Sequence, residues 1–179
     1  MRAFISLELP ENIKKEIVKI QKYIEKLGIL KGKYTEEENL HLTLKFLGEI
    51  DEKEAERAAN LLKNVKFKKF KSKLGLLGVF SEQEIRIVWI ELKGEGILEL
   101  QKQIDDVLSP MFPREERFMP HITVIRPKYV ENRRVFLDKL KEIKFEKSEF
   151  EADSFCFKKS ELNKKGAVYS DFGVFKTTD

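Results

Sequence analysis

The chain has 179 residues and two histidines, and each histidine stands two places before a threonine. His41 and Thr43 lie in NLHLTLKFLG, and His121 and Thr123 lie in MPHITVIRPK. Residues i and i+2 of a strand project from one face. Each stretch read as a strand therefore offers an imidazole and a hydroxyl side by side. Leu40, Leu42, Leu44 and Phe46 are expected on the opposite, core face of the first strand, and Ile122 and Val124 on that of the second. The chain holds five threonines. Two histidines both followed by Thr at the second position would arise by chance in roughly one case in a thousand. A single HxT in a strand is usually structural, but the repetition is not explained by packing.

Two imidazoles facing one cleft suit acid–base catalysis near neutral pH, one taking a proton while the other gives one. Hydroxyls beside them can donate hydrogen bonds to phosphate oxygens. Such a set needs no metal, and it fits a phosphodiester with a strained internal ring, such as a cyclic phosphate. Two histidines without neighbouring Cys, Asp or Glu ligands make a poor metal cage.

Other residues carry weaker signals. Arg126 stands five places after His121, where the first phrase has Phe46. A guanidinium can clamp phosphate, but strict alternation puts Arg126 on the face opposite His121. It reaches a ligand only if the strand bends, and a structural ion pair explains it equally well. Phe4, Phe46 and Tyr169 are candidates for base stacking, with core packing as the ordinary alternative. Arg86 and the lysines of KFKKFKSK (Lys66–Lys73) could attract an anionic ligand or merely protect an edge strand.

The elements that must position these residues follow from periodicity. Arg2–Leu9 alternates as a strand. Pro10 then opens a helix in which Ile13, Ile17, Ile20, Ile24 and Leu27 recur at helical spacing up to Gly28. Leu40–Leu47 is a strand, and Asp51 with Glu54 resembles a capping box for a helix reaching Val65. Lys69–Phe80 and Ile85–Leu92 read as a hairpin, Gly96–Leu108 as a helix, Phe118–Arg126 as a strand and Asn132–Ile143 as a helix. Phe145–Lys158 and Ala167–Phe175 read as the last two strands, joined by a turn at NKKG. Helices interleaved with hairpin-linked strands indicate an α+β fold with antiparallel sheets. One HxT phrase in each half suggests an internal duplication: two similar lobes, each giving one strand to a shared central groove.

Composition is compatible with this and does little more. The net charge of +4 suits an anionic ligand without demanding one. Cys156 is the only cysteine, which excludes an internal disulfide and a multi-cysteine zinc site. The opening run RAFISLEL is too short and interrupted for a signal peptide or a membrane span, so a cytoplasmic protein is expected. Charged residues make up 37% of the chain, a balance that fits a thermophile and that a melting curve would test.

Over almost its whole length the sequence resembles the two-histidine (HxTx) phosphoesterase superfamily. Within it, the resemblance is to the RNA 2',3'-cyclic phosphodiesterases, also called 2'-5' RNA ligases. NLHLTLKFLGEI and FMPHITVIRPK are similar to the two motifs, RAFISLELP to the opening strand, and IRIVWIEL and SELNKKGAVY to the intervening hairpin and C-terminal segment. Tyr34 stands where the family pattern has tryptophan. The resemblance implies one bilobal domain over residues 1–179, with antiparallel sheets and outer helices around a groove. It implies His41 as proton donor, His121 as proton acceptor, and Thr43 and Thr123 as phosphate ligands, with arginine often found at the place of Arg126. It further implies RNA ending in a 2',3'-cyclic phosphate or a 2'-phosphate as partner, tRNA fragments among the candidates. The expected protein is a monomer that uses no cofactor. The competing readings are a phosphodiesterase for a small cyclic phosphate, such as ADP-ribose cyclic phosphate, and a non-catalytic module that grips RNA ends.

Overall fold

The computed structural model describes residues 1–178. Its first strand, β1 (Arg2–Glu8), is buried on both faces from Ala3 to Leu7. Helix α1 (Glu11–Leu27) starts directly after Pro10 and buries its isoleucine stripe. It ends at Gly28, whose φ of 66° is the left-handed conformation that glycine adopts most cheaply. There follow β2 (Leu30–Tyr34), a 3-10 turn at Glu37–Asn39, and β3 (His41–Glu49). Helix α2 (Glu52–Leu62) opens on the expected capping box, in which the Asp51 carboxylate accepts from the Glu54 N–H and the Glu54 carboxylate from the Asp51 N–H. Next come β4 (Phe70–Val79), β5 (Val88–Gly94), α3 (Ile97–Leu108) and β6 (His121–Val130). The chain closes with α4 (Arg133–Glu142), capped by Asn132, and with β7 (Glu149–Ala152), β8 (Ser154–Asn163) and β9 (Gly166–Lys176).

These elements form two antiparallel sheets, of order β3-β1-β8-β9 and β2-β6-β5-β4-β7, and the fold class is α+β as expected. The halves of the chain are not the sheets. Strand β2 from the first half pairs with β6 of the second, while β8 and β9 from the end of the chain join β1 and β3. Two elements therefore differ from the sequence reading. Strand β2, LKGKY, alternates Leu30, Gly32 and Tyr34 with two lysines, but it is five residues long with a glycine at its centre, a weak signal for a strand. Its glycine fits a close approach, since a Cβ on Gly32 would stand 2.5 Å from the Arg126 carbonyl oxygen. The stretch expected as one strand over Phe145–Lys158 is two, broken at Asp153 as the chain leaves one sheet (β7 on β4) for the other (β8 on β1).

The core joins both sheets to the helices. Helix α1 lends Gln21, whose buried side-chain amide donates to the carbonyls of Thr35 and Val124 at 2.8 and 3.0 Å. Helix α3 lends Asp105, which receives the buried Lys45 ammonium of β3 at 2.5 Å. The first helix of each half thus holds the motif strand of the other half.

Candidate active site

Both motif strands depart from regular alternation in the same way. In β3 the order is half-buried His41, buried Leu42, half-buried Thr43, then two buried residues, Leu44 and Lys45, then exposed Phe46. In β6 it is His121, Ile122, Thr123, then Val124 and Ile125 both buried, then exposed Arg126. The pairing registers locate the cause. The partners of β1 pass from Lys45 to Thr43 across Ile5 and Ser6, and those of β5 pass from Ile125 to Thr123 across Val88 and Trp89. Each motif strand thus carries an extra residue, a β-bulge, directly after its threonine, ahead of a second register shift at Leu47 in β3 and at Lys128 in β6. A one-residue slip moves every later side chain to the opposite face. Phe46, expected on the core face with the leucines, therefore lies on the cleft face and is 70% exposed. Arg126, expected opposite His121, lies on the same face as His121 and Thr123.

The two strands line one cleft of about 780 Å³. Its walls carry His41, Thr43, His121, Thr123, Phe4, Phe46, Arg126 and Tyr169, so every site residue singled out in the two motifs and the aromatic candidates is brought together. Lys33, Thr35, Glu36, Asn39 and Ser160 line it too and were not legible beforehand, because β2, the 3-10 turn and β8 reach the cleft only through the strand exchange. The other basic candidates stand elsewhere. Arg86 pairs with Glu84 at 2.6 Å, and Lys71 and Lys73 lie opposite Glu151 and Glu149 of β7. Tyr34 packs against the core in register with Ile125.

The imidazoles are anchored alike. His41 Nδ1 lies 2.7 Å from the Asn39 carbonyl oxygen, and His121 Nδ1 lies 2.8 Å from that of Met119, in each case two residues back. A carbonyl can only accept, so each Nδ1 carries the hydrogen and each Nε2 is left for exchange. Beyond that the two differ. His41 Nε2 is 2.8 Å from the Thr43 hydroxyl, whereas among the described residues His121 Nε2 makes no such bond. Phe4, only 5% exposed, stacks on His41 with centroids 4.9 Å apart, and Tyr169 meets both rings edge-on. Phe80, directly after β4, meets His121 edge-on at 5.0 Å. Burial pushes the His41 pKa below 6.5, while the Asn39 carbonyl and the Glu8 carboxylate oppose that shift. Burial likewise raises the Tyr169 phenol above its ordinary value, which keeps it un-ionised. Arg126 forms no ion pair among the described residues, so its structural alternative has no partner.

Bulge geometry is held from behind. The Val124 carbonyl at the β6 bulge accepts from both the Gln21 amide and the Thr35 N–H, and the Thr35 hydroxyl donates to the Thr123 carbonyl at 2.9 Å. At the β3 bulge Lys45 donates to Asp105 and to the Pro113 carbonyl. The cleft can therefore offer two imidazoles, two hydroxyls and a guanidinium from one lining, the groups that displacement at phosphorus calls for.

The family described as LigT like Phosphoesterase matches residues 7–89 and again residues 90–169, with one HxT phrase in each stretch. An RNA 2',3'-cyclic phosphodiesterase of Methanocaldococcus jannaschii is 37% identical over 94% of this chain and 96% of its own. One from Methanothermobacter thermautotrophicus is 33% identical over 98% of each. A solved protein of Thermus thermophilus superposes with a TM-score of 0.82 at 26% identity, covering 98% of this chain and 97% of that one.

Proposed function

The chain belongs to the LigT-like phosphoesterase family, and on that premise we propose that it opens 2',3'-cyclic phosphate ends of RNA to 2'-phosphate ends by two-histidine acid–base catalysis. The observation that carries the proposal is the matched anchoring of the imidazoles, each with Nδ1 tied to a backbone carbonyl and Nε2 turned to one cleft. In this reading His121 Nε2 takes a proton from water as the water oxygen attacks phosphorus. The bond from phosphorus to the 3' oxygen breaks, and His41 Nε2 gives that oxygen its proton. Thr43, Thr123 and Arg126 hold the non-bridging oxygens, where charge grows. The negative phosphate itself favours the protonated form of His41 and so works against the burial that depresses it. The reverse reaction, with an RNA 5'-hydroxyl in place of water, joins ends by a 2'-5' linkage. Ring strain drives the opening, so neither a metal nor ATP is required.

The remaining parts of the reading follow. Phe46, exposed at the rim 6.3 Å from Phe4, offers a face to the terminal base, while Phe4 and Tyr169 back the imidazole. Because helices and strands are exchanged between the halves, residues 1–179 act as one bilobal domain. The protein works as a monomer in the cytoplasm, on RNA ends such as those of tRNA fragments; no helix of the described residues is long and apolar enough to cross a membrane. The test is turnover of a short RNA ending in a 2',3'-cyclic phosphate, beside a cyclic mononucleotide and ADP-ribose cyclic phosphate. Hydrolysis of the RNA end, nearly abolished by either His41→Ala or His121→Ala, is the expected result. Preference for ADP-ribose cyclic phosphate would replace the substrate, and binding without turnover would reduce the protein to a module that grips RNA ends.

A further inference from the structure

Strands β1 and β5 hold equivalent places beside the two motif strands. Each sets a glutamate directly opposite the motif histidine: Glu8 pairs with His41, and Glu91 with His121. Side chains of directly opposed residues share a face, with Cβ atoms about 5 Å apart. The two carboxylates are then held differently. Glu8 accepts the Ser6 hydroxyl at 2.7 Å and faces the Lys158 ammonium at 3.4 Å. Ser6 is itself opposite Thr43, so these bonds keep the carboxylate beside the first HxT phrase. Glu91 is drawn the other way. Its carboxylate accepts the Leu76 N–H at 3.4 Å, faces Lys93 at 3.8 Å, and lies over Gly75, where any Cβ would collide with it. Leu76 and Gly75 belong to β4, which flanks β5 on the side away from β6.

We infer that Glu8 is a positioning residue that makes His41 the proton donor of the pair, because its carboxylate stays beside that imidazole while the equivalent carboxylate is withheld from His121. The inference rests on the two-histidine reading proposed above. The charged and titratable groups around His41 are Glu8 from β1, Lys158 from β8, Tyr169 from β9 and Lys14 from α1. Lys158 is itself paired with Asp171 at 3.1 Å; burial alone would lower its pKa, but Glu8 and Asp171 together raise it, so it stays charged. Burial, Lys158 and Lys14 all disfavour a charged imidazole, and Glu8 is the acid that opposes them. The equivalent carboxylate, that of Glu91, is drawn toward β4 and away from His121, which suits a base that must begin neutral.

Glu8→Gln tests this, because the two histidines give separate imidazole signals in an NMR titration that requires no turnover. The His41 signal in Glu8→Gln should titrate at lower pH than in the parent, with His121 unmoved. Glu91→Gln should leave the His121 titration in place. The alkaline limb of kcat/KM for the cyclic-phosphate RNA should move to lower pH in Glu8→Gln. A nitrophenyl phosphodiester, whose leaving group needs no proton, should lose less. If Glu8→Gln does not fold, Lys158→Gln serves: removing the opposing charge should move the His41 signal to higher pH. An unmoved His41 signal in the folded variant, or an equal effect of Glu91→Gln on His121, overturns the inference. Absence of turnover by the parent protein would instead overturn the proposed function and leave the titrations standing.

Discussion

Asp105→Asn removes the carboxylate that meets Lys45 behind the β3 bulge. The pair is almost completely buried, with Lys45 and Asp105 side chains 3% and 6% exposed. Asp105 accepts three donors: the Lys45 ammonium at 2.5 Å, the Gln101 amide at 2.9 Å and the Glu115 N–H at 2.9 Å. Asparagine keeps one acceptor oxygen and turns an NH2 toward groups that are all donors. Lys45 retains the Pro113 carbonyl but loses its one salt-bridge partner among the described residues. Breaking a buried pair by removing one partner costs about 3–5 kcal/mol, because the other charge is left uncompensated. For a chain of this size each kcal/mol lowers Tm by about 2–4 °C, so a fall of roughly 6–20 °C is expected. Urea titration of Asp105→Asn should show that loss with an unchanged m-value. The double variant Lys45→Met, Asp105→Leu should recover most of it, since a packed apolar pair often equals a buried ion pair. A loss under about 1 kcal/mol, or a double variant no better than the singles, would refute the reasoning and mean that Lys45 finds water by another route.

Four further outcomes are expected. Thr43→Ala and Thr123→Ala should each lower turnover about 10²-fold, with Thr→Ser retaining much more, if the hydroxyls hold growing charge; equal loss for Ala and Ser would point to the methyl group. Hydrolysis should persist in EDTA and without ATP, and restoration of lost activity by a divalent ion would sink the two-histidine mechanism. Arg126→Ala should weaken RNA binding and reduce the slope of log K against log salt by about 0.7, the share of one phosphate contact on a single strand; an unchanged slope would remove Arg126 from the ligand. Because the folded pKa of His41 lies below its ordinary 6.5, the folded state binds fewer protons there than the unfolded chain. Its contribution to stability is present above pH 6.5 and is lost as pH falls through the folded pKa. Denaturation of the parent and of His41→Gln across that window should show a steeper loss in the parent, and parallel curves would contradict the assignment.

The sequence alone determined whatever repeats at short range. The HxT phrases, the isoleucine period of α1 with its Gly28 stop, and the capping box at Asp51 are encoded within a few residues, so their local structure follows from spacing. That was enough for the α+β class and for the pairing of His41 with Thr43 and of His121 with Thr123 on cleft-facing strands. What lay outside it depends on partners distant in the chain. A bulge is a mismatch between two strands, so nothing in KFLG or IRPK announces that Phe46 and Arg126 turn to the cleft. The extra residue is set by the register of β1 and β5 and braced by Gln21 and Asp105, which come from helices in the opposite halves. Strand β2 went unread for the same reason, because its short alternation around Gly32 becomes a strand only by pairing with β6. The unequal surroundings of the two imidazoles are likewise tertiary. Two near-identical phrases differ because Ser6 and Lys158 hold one glutamate beside its histidine, while β4 draws the other away.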